Sequence, residues 1–254
     1  MSKIPSMKQL LEAGVHFGHQ TRRWNPKIAS FIFTQQSGIH LIDLEKTEDQ
    51  LKEAAKFIKE IAGRGGVVIF LATKKQAAEI IKSEAERVGA MYLTQRWLGG
   101  LLTNFDAVKR TIEKLPALEE KLKGAEEAGY TKKEQLLMKR EIDKLTRFIG
   151  GIRGLDRLPD ALFIIDSRRE DNAVREANKT GVPTTALVDT NGDPTKVTYP
   201  IVANDDAIKS ISILVKTIAD AYDEGRRLWE KKSIERAENE LETVKEAELV
   251  TQAK

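Results

Sequence analysis

The chain contains no cysteine, which excludes disulfides, thiolate metal centres and every thiol nucleophile. It has three histidines and none after His40, so no Ser-His-Asp arrangement can be drawn from its C-terminal half. Its longest apolar run, Val67 to Ala72, falls far short of the about 20 residues that cross a bilayer. The first residues, Met1-Ser-Lys-Ile-Pro-Ser-Met-Lys8, lack the apolar core of a secretory signal. A cytoplasmic protein without membrane partners is therefore expected. There is no Gly-x-x-x-x-Gly-Lys-Ser/Thr loop and no Gly-x-Ser-x-Gly elbow. Gly63-Arg-Gly-Gly66 precedes an apolar run, whereas a dinucleotide-binding glycine loop follows one. Strong charge of one sign is also missing: 42 Lys and Arg face 39 Asp and Glu. A net charge of +3 does not by itself identify a nucleic-acid ligand.

What is present is unevenly spread. Residues 1–110 hold 17 basic against 11 acidic side chains, and residues 161–224 hold 7 against 11. The 254 residues suffice for one large domain or for one domain with a substantial appendage. Val67 to Ala72 reads as a strand buried on both faces, with a Thr73–Gln76 capping box opening the next helix. Strands are also expected at Ala161–Ile165, Thr184–Val188 and Val197–Ala203. A helix closing at Gly181 and Pro183 lies between the first two of these. Thr47 to Ala62 forms an earlier helix. Asn204-Asp-Asp206 caps a long one that buries Ile208, Ile211, Val215, Ile218 and Tyr222. This alternation predicts an α/β fold with helices on both faces of a parallel sheet. Phe105, Val108, Ile112, Leu115, Leu118 and Leu122, then Met138, Ile142, Leu145 and Ile149, step by about 3.5 residues, the coiled-coil period. They predict an inserted antiparallel hairpin over 105–149, closing on the glycine-rich joint Gly150–Gly154.

Catalytic constellations are hard to find. His16 and His19, with His40 more distant, form either a metal pair or a turn whose imidazoles bond backbone or RNA, and no complete ligand set favours the first. Asp189, Asp193, Asp205 and Asp206 follow adjacent strands, as turn and cap carboxylates or as holders of a hydrated magnesium ion. No cofactor is expected. Two segments pair arginine with tryptophan: Arg22-Arg-Trp-Asn-Pro-Lys27 and Gln95-Arg-Trp-Leu-Gly-Gly-Leu-Leu-Thr-Asn-Phe105. Arginine supplies phosphate contacts and tryptophan a stacking face, although Trp24 and Trp97 also suit loop anchors. The candidate RNA contacts are Arg22, Arg23, Trp24, Lys27, Arg96, Trp97 and Asn104. Lys74 and Lys75 at a helix start, and Lys109 and Arg110 at the hairpin base, extend the basic surface. The competing reading is an anion- or nucleotide-binding enzyme or sensor using Lys74, Lys75, Asp189 and Asp205.

The strings Val15-His-Phe-Gly-His-Gln-Thr-Arg-Arg-Trp-Asn-Pro-Lys27, Gln95-Arg-Trp-Leu-Gly-Gly100, Leu102-Thr-Asn-Phe105, Leu158-Pro-Asp-Ala-Leu-Phe-Ile-Ile-Asp166, Val188-Asp-Thr-Asn191 and Ala203-Asn-Asp-Asp-Ala-Ile208 closely resemble the bacterial small-subunit ribosomal protein S-two family. The match is collinear from about Met7 to Gly225. The resemblance implies a flavodoxin-like three-layer sheet with an inserted coiled-coil hairpin. It implies a non-catalytic place between the head and body of the small subunit, on ribosomal RNA and neighbouring proteins. It also implies help in holding ribosomal protein S-one, which captures messenger RNA. The corresponding domain expectation is a globular body over 1–104 and 150–225 with an RNA-facing segment 1–45, the hairpin 105–149, and a charged helical tail 226–254. No homo-oligomer is expected.

Overall fold

The computed structural model describes residues 4–125 and 128–252, with side chains in the last helix followed to residue 236. The N-terminal region forms a small sheet of its own. Helix α1 (Met7–Glu12) opens with a capping box in which Ser6 and Gln9 satisfy one another's backbone N–H groups. Strands β1 (Phe17–Gln20), β2 (Ile32–Gln36) and β3 (Ile39–Ile42) make a small antiparallel sheet in the order β1-β3-β2. Helix α2 (Leu44–Ala62) starts three residues before the expected Thr47, because the Asp43 side chain accepts from Glu45 N–H and caps it earlier. Thr47 lies inside the helix, and its buried hydroxyl donates to Val202 O at 2.6 Å.

The main sheet is built from β4 (Val68–Leu71), β5 (Met91–Leu93), β6 (Ala161–Ile165), β7 (Thr184–Val188) and β8 (Tyr199–Val202). All neighbouring pairs are parallel, in the order β5-β4-β6-β7-β8. The expected outer limits of β4 and β8 shrink by one or two residues at each end. The β6 and β7 spans are as read, because each is an unbroken buried run.

Helix α3 (Lys75–Val88) corrects one expectation. Thr73 does not cap it; Lys74 occupies the cap position without a side-chain bond. The Thr73 N–H and hydroxyl instead donate to Glu170 Oε1 at 3.2 and 2.5 Å. Helices α4 (Phe105–Lys123) and α5 (Lys132–Ile149) follow, with Lys114 reaching Glu141 between them at 2.5 Å. The chain then returns beside β5, where a Cβ on Gly151 would strike the Tyr92 carbonyl oxygen, so only glycine fits. Helix α6 (Asp171–Thr180) ends at Gly181 in the left-handed conformation, φ 75°. Helix α7 (Ile208–Gln252) follows Asn204, whose side chain accepts from the Asp206 and Ala207 amides. Ile211, Val215, Ile218 and Tyr222 are buried as expected, but Ile208 is 62% exposed. Ile208 opens the helix, away from the stripe that meets the sheet.

The two faces of the sheet carry separate apolar layers. One joins Phe70, Phe163, Leu187 and Ile201 to α2, α3 and α7. The other joins Ile69, Leu71, Ile164 and Val188 to α6, the base of α4 and α5, and the loop after β5. Ile28 and Trp97 both root in this second layer, so the two arginine–tryptophan segments share one foundation.

Candidate nucleic-acid interface

Loops following β4, β5, β6, β7 and β8 all emerge at the C-terminal edge of the parallel sheet, the edge where α/β folds hold ligands. The Arg22–Lys27 segment is bolted onto the loop after β7. The His19 amide donates to Thr190 Oγ1 at 2.8 Å, and the Asn25 amide donates to Thr190 O at 2.8 Å. Close approach here requires Gly18, whose hypothetical Cβ would lie 2.5 Å from Thr190 Cγ2. Lys27 Nζ reaches Asp193 Oδ2 at 2.7 Å and Thr195 Oγ1 at 3.1 Å. Burial would raise Asp193, but Lys27 and the Thr195 amide and hydroxyl hold it below the usual carboxylate range. Arg22 and Arg23 are exposed, and Arg22 bonds to Gln20 Oε1 at 3.0 Å. Trp24 is 39% exposed and leans on His40, with ring centroids 5.1 Å apart.

The second segment is organised by a residue the sequence did not single out. Trp97 is only 8% exposed. Its Nε1 donates to Glu176 Oε1 at 3.0 Å, and the same carboxylate accepts from the Gly100 amide at 2.8 Å and the Leu102 amide at 3.2 Å. Burial acts to raise Glu176, and these N–H donors overcome it and lower it. Trp97 is therefore a largely buried loop anchor. Arg96, beside it, is exposed, as are Asn104 and Arg110. Lys109 reaches back to Asp156 O at 3.2 Å.

Lys74 and Lys75 part company. Lys75 is exposed. Lys74 is 9% exposed, with Nζ 2.6 Å from both Asp205 Oδ1 and Asp206 Oδ1 and 3.7 Å from Asp166 Oδ2. Burial lowers Lys74, but the Asp205, Asp206 and Asp166 carboxylates outweigh it and raise it. Its charge is matched by the carboxylates around it. Burial pushes Asp205 upward, reinforced by Asp189 and Asp166 and opposed by Lys74.

The four loop aspartates do not converge as a set, because Asp193 turns to Lys27. Among the described residues, the group with metal-ligand spacing is His19, Asp189 and Asp206, whose donor atoms lie within 4.8 Å of one another. His19 Nδ1 lies 3.0 Å from Asp189 Oδ1, and Nε2 lies 3.6 Å from Asp206 Oδ2. The Asp189 carboxylate raises His19 against the effect of burial. His16 and His40 take no part in this group. No described helix is long and apolar enough to cross a membrane.

Comparison with known proteins matches these features to one family. The family model described as Ribosomal protein S2 matches residues 10–225. Two relatives named small ribosomal subunit protein uS2, from Dictyoglomus turgidum and Dictyoglomus thermophilum, are each 52% identical over 227 residues. Each alignment covers 89% of this chain and 92% of the relative. The span of the family match takes in both arginine–tryptophan segments, helices α4 and α5 and every strand of the main sheet, and the chain belongs to the Ribosomal protein S2 family.

Proposed function

We infer that this chain is a structural, RNA-binding constituent of the small ribosomal subunit and catalyses no reaction. The observation that carries the reading is membership of the Ribosomal protein S2 family along most of the chain, with relatives named as small-subunit proteins. The geometry supports it through cations left exposed and without a carboxylate partner. Arg22, Arg23, Lys75, Arg96 and Arg110 are exposed and among the described residues have no ion-pair partner, so they are free to neutralise phosphates. Lys27, Trp24 and Asn104 lie within the two arginine–tryptophan segments in supporting positions, whereas Lys109 turns to Asp156 O. Lys74 and Trp97 serve by fixing the loops rather than by touching RNA. The enzyme or sensor alternative requires a free Lys74, and that ammonium is held by carboxylates.

The finer architecture follows the same reading. The strand order β5-β4-β6-β7-β8 has the doubly-wound pattern 2-1-3-4-5, which supports a flavodoxin-like body over 1–104 and 150–225. The packed pair α4 and α5 supports a coiled-coil arm over 105–149, and the charged extension of α7 supports a helical tail over 226–254, of which residues 253–254 lie outside the described residues. The proposed location is the cytoplasmic ribosome. An exposed apolar surface suits a contact with ribosomal protein S-one or neighbouring subunit proteins. Met7, Leu11 and Phe33, the last 76% exposed, border a common groove that offers one. Ultraviolet cross-linking within the assembled subunit, followed by peptide mapping, tests the RNA reading. Cross-links should fall in residues 20–27 and 95–105. Cross-links confined to α7 would overturn the placement.

A further inference from the structure

The Arg22–Lys27 segment and α6 enclose a cleft of about 560 Å³, within the size range of small-ligand sites. Two carboxylates line it, and both are already matched. Asp171 is held by Arg175 at 2.5 Å and Lys196 at 2.9 Å, and Asp193 is held by Lys27 at 2.7 Å. Arg23 and Arg168 line the same cleft, and among the described residues neither has an ion-pair partner. The cleft therefore carries two uncommitted guanidinium groups, which suit the planar oxygens of a phosphate. Trp24 forms another part of its wall. The indole is steadied by His40 and remains partly exposed.

A paired base cannot use such a wall, because its faces are covered by neighbours in the helix and A-form grooves are read by shape. An unstacked base can, since every base has a face that stacks on an aromatic ring. We propose that this cleft receives one unpaired nucleotide of RNA, its base against Trp24 and its phosphate held by Arg23 and Arg168. The proposal rests on the RNA-binding reading and adds a pocket, a nucleotide conformation and Arg168, which lies in the loop after β6.

The test compares a short RNA hairpin carrying one bulged adenosine with the same hairpin fully paired, binding to the full chain at low salt. The bulged hairpin should bind about tenfold more tightly, the scale of one base stacked on an aromatic side chain. Trp24→Ala should abolish that advantage, bringing the bulged and paired hairpins to equal affinity. Arg168→Ala, a change at an exposed side chain, should reduce it several-fold with an unchanged thermal melt. Equal binding of the two hairpins to the unaltered chain, or an advantage that survives both substitutions, overturns the pocket but not the RNA-binding reading. Failure to bind either hairpin overturns the reading itself. Free adenosine monophosphate binding as tightly as the bulged hairpin would make the cleft a small-molecule site and overturn the assignment to RNA.

Discussion

The Trp97 indole donates to the Glu176 carboxylate at 3.0 Å across 79 positions of sequence. That bond ties the loop after β5 to the middle of α6, and the Gly100 and Leu102 amides share the same acceptor. Glu176→Ala removes the acceptor from several N–H donors at once. The expected cost is about 1.5–3 kcal/mol, toward the lower end because the carboxylate is partly solvated. Chemical denaturation should show it as a lower midpoint with an unchanged slope. A midpoint equal to that of the parent chain would mean that the loop holds itself.

The same bonds make stability depend on acidity. Glu176 is lowered in the folded state, despite burial, by its N–H donors. The unfolded chain then binds more protons between the folded value and the ordinary glutamate value of about 4.3. The stabilisation is present above that ordinary value and is lost as pH falls through the lowered folded value. Glu176→Gln should flatten the acid limb of the stability curve below about pH 4.5. An identical acid limb in both proteins would contradict the assignment.

Lys74 offers a separation of structure from binding. Removing its ammonium leaves the buried Asp205 without its cation, and breaking a buried pair from one side costs up to about 3–5 kcal/mol, reduced here because the raised Asp205 takes up a proton. Lys74→Ala should therefore lower the thermal midpoint sharply, whereas Lys75→Ala should leave it unchanged. If Lys74→Ala weakened RNA binding without affecting the melt, the ammonium would be an RNA contact after all.

Arg22, Arg23 and Arg96 should behave in the opposite way. Replacing all three with alanine should weaken incorporation into the subunit and leave the circular-dichroism melt nearly unchanged. In a purified binding assay the slope of log affinity against log salt should flatten by about one for each phosphate no longer neutralised. Collapse of the melt would make these side chains structural.

These contrasts mark where sequence is and is not a sufficient guide. Continuous buried runs identify β6 and β7 to the residue, and the steps of three and four identify α4 and α5, because burial imposes those periods directly. The strands β1 to β3 are not legible in this way: they are short, and Thr34, Gln35 and Gln36 give β2 no alternating apolar face. Glu176 reads as a solvated glutamate in a polar helix, since its partners arrive from a loop far away in the chain. Lys74 and Lys75 are adjacent and chemically alike. Only the convergence of Asp166, Asp205 and Asp206 from the ends of β6 and β8 decides which of them is buried. Arg168 belongs to a polar run after β6, and its significance appears only once Trp24 is set across from α6.

The most direct test of the central claim is sedimentation of the full chain with purified small ribosomal subunits lacking it, at low and then high salt. The chain should travel with the subunit at low salt and be released at high salt, with the Arg22, Arg23 and Arg96 triple variant released earlier. A chain that remains free at low salt, at concentrations where it is folded, would contradict its assignment as a structural RNA-binding component of that particle.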